Sequence, residues 1–186
     1  MIGTEIRLSL PVTARDHITG APDARVTVVK YGDYESPDCQ RVHQATEKMV
    51  RQLLDSVRLV HRHFPLFNSH PHALRAAEAA EAAAAQGKFW EMNERLYLDP
   101  AKLEDKDLRK HAKKIGLDLD RFDREMASGC YAGQIQRDFY FSVIHGITGA
   151  PTIFVNDLLY PMSGLKLVEA VKRLLDGCSS AARQPF

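Results

Sequence analysis

The chain has 186 residues, 45% of them hydrophobic, with 25 basic side chains against 24 acidic ones and a formal net charge of +1. That length suits one domain, or one domain enlarged by an insertion, and the apolar content excludes a disordered chain. The charges nearly cancel and interleave, so no basic surface for nucleic acid or an anionic membrane is expected, and the densest basic stretch, Arg109 to Lys114, reads as a solvated helix face.

No segment approaches the length of a membrane span. Residues 1–15 set Glu5 and Arg7 among Ile2, Ile6, Leu8, Leu10 and Val12. They lack the continuous apolar core of a signal peptide and read as a short strand and a link, with the cytoplasm as the expected location. Arg25 to Tyr31 contains the β-branched run Val26, Thr27, Val28 and Val29 and predicts an interior strand ending at a Gly32-Asp33 turn. Pro37 suits the first turn of a helix, where a missing N–H costs nothing, and Val42, Ala45, Met49 and Leu53 follow at helical spacing. Val57 to Phe64 is the next strand, so the segment reads as a βαβ unit with parallel strands.

A helical stretch follows. His72 to Gln86 is dominated by alanine and broken by Gly87, and Phe89, Trp90, Met92 and Leu96 supply the next helix. Helices around Leu108, Leu119 and Ile135 end at Gly116, Gly129 and Gly146, and their aromatic and methionine positions read as core packing. After Pro151 the period changes. Thr152 to Val155 and Leu158 to Tyr160 predict a hairpin around Asn156-Asp157. Leu167, Val168, Val171, Leu174 and Leu175 predict a last helix closed by Gly177.

The three cysteines, Cys39, Cys130 and Cys178, are odd in number and far apart, which argues against a secreted disulfide scaffold and a sequence-local zinc site. Cys130 and Cys178 read as packing residues or surface thiols, with a bond to Cys39 as the less favoured alternative. His61, His63, His70 and His72 form no convincing ligand set, so no metal is expected. No serine has the setting of a hydrolase nucleophile.

The stretches VTVVKYGDYESPDC, RHFPLFNSHPHALRAAEAAEAAAAQGKFWEMNERLY and GAPTIFVNDLLY agree in order and spacing with one family. The chain resembles the DsbA-like branch of the thioredoxin superfamily, including thioredoxin-like domains fused to sodium/proton antiporters, over roughly residues 20–175. The resemblance implies an α/β thioredoxin fold (βαβ…ββα) with a central mixed sheet and a helical insertion. The thioredoxin-like part is expected at 20–67 and 147–178, the inserted helices at 68–146, an N-terminal strand or link at 1–19 and a frayed tail at 179–186.

The family's site is a Cys-x-x-Cys motif at a helix start, where unpaired N–H groups stabilise the attacking thiolate and the second cysteine resolves the mixed disulfide. By position the attacking cysteine corresponds to Ser36, the resolving one to Cys39 and the family's cis-proline to Pro151. The resemblance makes Ser36, Cys39 and Pro151 the candidate catalytic residues, and Pro37, Asp38, Ala150 and Pro151 the candidate substrate contacts. Lys30 stands where the family commonly has a buried acid. It reads either as a cation tuning Cys39 or, more simply, as a side chain reaching solvent. Glu35 and Asp38 oppose a strongly lowered thiol pKa.

The implied function is a thiol–disulfide oxidoreductase relative with altered or lost dithiol activity, acting on protein or peptide thiols and disulfides without a resident cofactor. One alternative is a non-catalytic peptide-binding or chaperone-like module. Another is a glutathione-dependent transferase or isomerase in which the Ser36 hydroxyl donates to a bound thiolate, glutathione being the candidate ligand.

Overall fold

The computed structural model describes residues 6–53, 55–161 and 166–181. Side chains branched at Cβ favour extended backbone, and strand β2 (Val26–Gly32) grows from such a run with nearly every residue buried. It sits in a five-stranded sheet of order β1-β3-β2-β4-β5, formed with β1 (His17–Gly20), β3 (Val57–His63), β4 (Thr152–Val155) and β5 (Leu158–Tyr160). The N–H of Val26 donates to Ser56 O at the start of the strands and that of Phe64 to Gly32 O at their ends, so β2 and β3 run parallel. At the other side of β2, Asn156 N–H donates to Thr27 O, which sets the end of β4 beside the start of β2, antiparallel. The sheet is therefore mixed. Asn156 and Asp157 both adopt positive φ, 46° and 67°, as a two-residue hairpin turn between right-twisted strands requires.

The chain forms two compact units. One comprises residues 1–30, 41–62 and 152–186 and contains most of the sheet, most of helix α1 (Pro37–Leu53) and the C-terminal helix α7 (Leu167–Ala181). Its buried side chains include Val28, Val29, Val42, Met49, Leu59, Val60, Ile153, Leu167 and Val171. Each such aliphatic group removed from water contributes about 1.5–3 kcal/mol before chain entropy is set against it.

The other unit comprises residues 31–40 and 63–151. It contains the end of β2, the first turn of α1, and helices α2 (Ala73–Ala84), α3 (Phe89–Leu98), α4 (Asp105–Lys114), α5 (Leu119–Ser128) and α6 (Ala132–Ile144). Alanine dominates the buried face of α2, and its small side chains pack in one cluster with Met92, Leu96, Tyr97, Leu108 and Phe122 from three other helices. Arg75 ties this bundle together, donating to Asp105 Oδ1 at 3.0 Å, Glu78 Oε2 at 2.9 Å and Met126 O at 2.9 Å. Among the described residues no helix is long and apolar enough to cross a membrane.

Two elements differ from expectation. The described part of the first fifteen residues holds no strand; it contributes an isolated antiparallel bridge, Arg7 with Leu158, and the true edge strand is β1, paired antiparallel to β3 from His17↔His61 to Gly20↔Arg58. Four half-buried residues carry no alternation for a pattern to detect. Helix α7 also passes through Gly177 and runs to Ala181; one interior glycine costs only about 1 kcal/mol, too little by itself to end a helix. Residues 182–186 of the expected frayed tail, and the side chain of Cys178, lie outside the described residues.

Candidate active site

Strand β2 ends at Gly32, and after four intervening residues the chain enters α1 at Pro37. Ser36 caps that helix. Its Oγ accepts from Cys39 N–H at 3.3 Å, and its carbonyl accepts from Gln40 N–H at 3.0 Å as the first helical hydrogen bond. Pro37 and Asp38 are exposed on the first turn, whereas Ser36 is 5% and Cys39 0% accessible. The three-residue spacing thus carries a hydroxyl and a thiol, joined through a backbone cap.

Asp33, which the sequence suggests only as a turn residue, organises the approach to the helix. Its side chain is wholly buried. Oδ1 accepts from Glu35 N–H at 2.7 Å, and Oδ2 accepts from Leu66 N–H at 2.8 Å and from His70 Nδ1 at 2.8 Å. A carboxylate with these three donors is satisfied despite its burial. The backbone N–H of Asp33 donates to Cys39 Sγ at 3.4 Å, so the residue that fixes the turn also touches the thiol.

The thiol belongs to the same buried cluster as Tyr34 and Tyr97, whose ring centroids lie 4.7 Å apart. Tyr34 Oη donates to Asn93 Oδ1 at 3.2 Å. Burial holds both phenols well above the usual tyrosine pKa; the Glu81 charge adds to the effect at Tyr34, and Cys39, Tyr34 and Asp33 add to it at Tyr97. Both therefore stay neutral. The Ala150–Pro151 peptide bond is cis, and Ala150 packs against the cluster that contains Cys39.

Lys30 overturns the simpler expectation that its head reaches solvent. It is 0% accessible, and its Nζ lies 3.4 Å from His43 Nδ1 in the sheet-bearing unit. Burial, then the charges of Lys30 and Arg51, push the His43 pKa down to about 2. The ring is neutral, with Nδ1 within hydrogen-bond reach of the Lys30 amino group. Glu35, the other candidate for tuning the thiol, turns its Oε2 to His72 N–H at 2.7 Å and so holds the approach to α2. Cys130 is exposed, with Sγ 3.8 Å from Glu125 O, and no disulfide joins it to Cys39.

The sequence reading missed Asp33 and Tyr97 as neighbours of the thiol, Tyr34 as a member of its buried cluster, and Asn93 as the partner of Tyr34. The partners of Asp33 lie as far as 37 positions away, at His70, and Tyr97 carries only the pattern of a helix core residue. No local spacing marks either one.

A sequence model of the family described as thioredoxin matches residues 13–176. Among curated relatives, Na(+)/H(+) antiporter NhaA 3 of Salinispora tropica is 46% identical over 155 residues, covering 81% of this chain and 23% of the relative. Na(+)/H(+) antiporter NhaA 1 of Mycolicibacterium gilvum is 37% identical over 162 residues, covering 85% of this chain and 26% of the relative. The chain thus spans about a quarter of the length of these relatives. Among solved structures, a thioredoxin-like oxidoreductase from Silicibacter pomeroyi superposes with a TM-score of 0.74 at 28% identity, covering 88% of this chain and 94% of that one. BdbD from Bacillus subtilis superposes at 0.72 and 22% identity, covering 87% of this chain and 93% of that one, a likeness of fold. The architecture is that of DsbA-like thiol–disulfide oxidoreductases.

Proposed function

We propose that this chain, which belongs to the thioredoxin family, is a thiol–disulfide oxidoreductase relative that has lost the two-thiol cycle and recognises protein thiols and disulfides without turning them over. The burial of Cys39 at 0% accessibility, directly behind a serine, carries this reading. In the two-cysteine reaction the first thiolate attacks a substrate disulfide, forms a mixed disulfide and expels the substrate's other sulfur as a thiolate. The second thiolate then attacks the first cysteine's sulfur and releases the reduced substrate. Ser36 has no sulfur for the first step, and among the described residues no basic side chain hydrogen-bonds to its hydroxyl, which accepts from Cys39 N–H. Cys39 sits at the position of the second step with nothing to resolve.

What remains is a surface of exposed Pro37 and Asp38 at a helix start. The backbone near Ala150 and Pro151 is the proposed contact for an extended segment. A cytoplasmic setting, which keeps thiols reduced, suits a protein whose motif cannot form its own disulfide. Since the chain matches a quarter of antiporter relatives, a sodium/proton antiporter is the proposed companion of this domain.

The test pairs the wild-type protein with Ser36→Cys in an insulin-reduction assay and follows Cys39 by mass spectrometry after exposure to oxidised glutathione. The wild type is expected to show no turnover and no adduct on Cys39 under native conditions, and Ser36→Cys to gain both turnover and a 36–39 disulfide. Wild-type turnover abolished by Cys39→Ala would reject the reading in favour of monothiol exchange. Saturable binding of reduced glutathione lost in Ser36→Ala would favour the transferase alternative.

A further inference from the structure

The helical unit contains a cavity of about 670 Å³ between the loop after β3 and helix α6, a size within the range of small-molecule sites. Leu66, Phe67, Leu74 and Phe139 form its apolar wall. Phe67 and Phe139 meet edge to face, with centroids 4.8 Å apart and planes at 70°. Phe64 packs on Phe139 at 4.6 Å, so this wall is held from behind.

His70 is set into that wall. Its Nδ1 is committed to Asp33 Oδ2 at 2.8 Å, and the Asp33 side chain is 0% accessible while that of His70 is 22%. A carboxylate only accepts, so a proton sits on Nδ1 facing it, and the Nδ1–H tautomer presents Nε2 to a ligand as an acceptor. The carboxylate's other contacts, to Glu35 N–H and Leu66 N–H, hold it in place behind the ring, and Asp33 does not line the cavity, so it offers no direct ligand to an incoming cation. An anion is disfavoured by the same carboxylate lying behind the ring.

We infer that this cavity binds a small neutral aromatic molecule bearing a hydroxyl group, with the ring against Phe67 and Phe139 and the hydroxyl donating to His70 Nε2. Aromatic rings favour edge and offset contacts with other rings. A hydrogen-bond donor on the ligand meets an acceptor that a purely apolar occupant would desolvate without compensation. Neither Ser36 nor Cys39 lines the cavity, so the site does not depend on thiol chemistry.

The experiment titrates the full chain with 4-ethylphenol and with ethylbenzene, following backbone and histidine-ring resonances by NMR. Saturable shifts at 66–74 and 136–140 are expected with 4-ethylphenol at millimolar concentration or below, and binding of ethylbenzene weaker by roughly tenfold. His70→Phe keeps a ring in the wall but removes the acceptor, and is expected to bind both compounds alike. Leu74→Trp fills the space and is expected to abolish binding of both, with an unchanged thermal transition showing that it folds. No saturable shift in the wild type, equal binding of the two compounds by the wild type, or discrimination that survives in His70→Phe would each overturn the assignment.

Discussion

Cys39 N–H donates to Ser36 Oγ at 3.3 Å. The two positions of the motif are thus coupled as a helix cap and not as a redox pair. Ser36→Ala removes the cap acceptor and is expected to cost about 1 kcal/mol, read as a lowered urea midpoint with unchanged slope. Ser36→Cys has a different readout. It supplies the missing sulfur three residues before Cys39, and titration of accessible thiols before and after reduction should show a new reducible bond. If Ser36→Ala leaves stability untouched, the cap is not formed in solution.

Asp33→Ala strips the acceptor from Glu35 N–H, Leu66 N–H and His70 Nδ1 at once. Leaving these donors without an acceptor is expected to cost about 1–3 kcal/mol for each one that water does not reach. Asp33→Asn keeps the shape and one acceptor but turns an amide group toward donors, and roughly half of that loss is expected. Denaturant unfolding of the two variants checks the order. Equal losses would mean that volume, not hydrogen bonding, is what Asp33 supplies.

Much of the fold was legible because its signals are local. The Val26–Val29 run, Pro37 at a helix start, and Asn156-Asp157 in a hairpin each state their geometry within a few residues. The motif was legible for the same reason, since Ser36 and Cys39 lie within one helical turn. The surroundings of the thiol were not. Asn93 reaches Tyr34 across 59 positions, and nothing in the local sequence of either residue announces the other. Lys30 was misjudged because a lysine's length usually carries its charge to water. Here His43, thirteen positions on, offers a buried partner instead.

Gly20 has φ of +97°, and a Cβ there would overlap the carbonyl of Val57 in the neighbouring strand. Gly87 also has positive φ, +72°, but a Cβ there would meet nothing within 4 Å. Both alanine variants store backbone strain, of order 1–3 kcal/mol. Only Gly20→Ala must also push β1 away from β3. It is therefore expected to be the more destabilising of the two, with faster amide exchange at residues 17–20 and 58–61. Equal stability of the two variants would show that β1 is not held against β3 at that corner.

His43 gives the protein an acid-sensitive element. Its pKa falls from the ordinary 6.5 to about 2, through burial first and then the charges of Lys30 and Arg51. Below 6.5 the unfolded chain takes up a proton that the folded ring refuses. Stability from a neutral His43 is therefore fully present above 6.5 and is lost as pH falls from there toward about 2. The loss can approach about 1.4 kcal/mol per pH unit within that window. His43→Gln retains a hydrogen-bonding group for Lys30 but does not titrate. The stability gap between the wild type and His43→Gln, measured by urea unfolding from pH 7 to pH 4, is expected to move against the wild type as the pH drops. Parallel curves across that range would place a protonated His43 in the folded protein and refute the neutral Lys30–His43 contact.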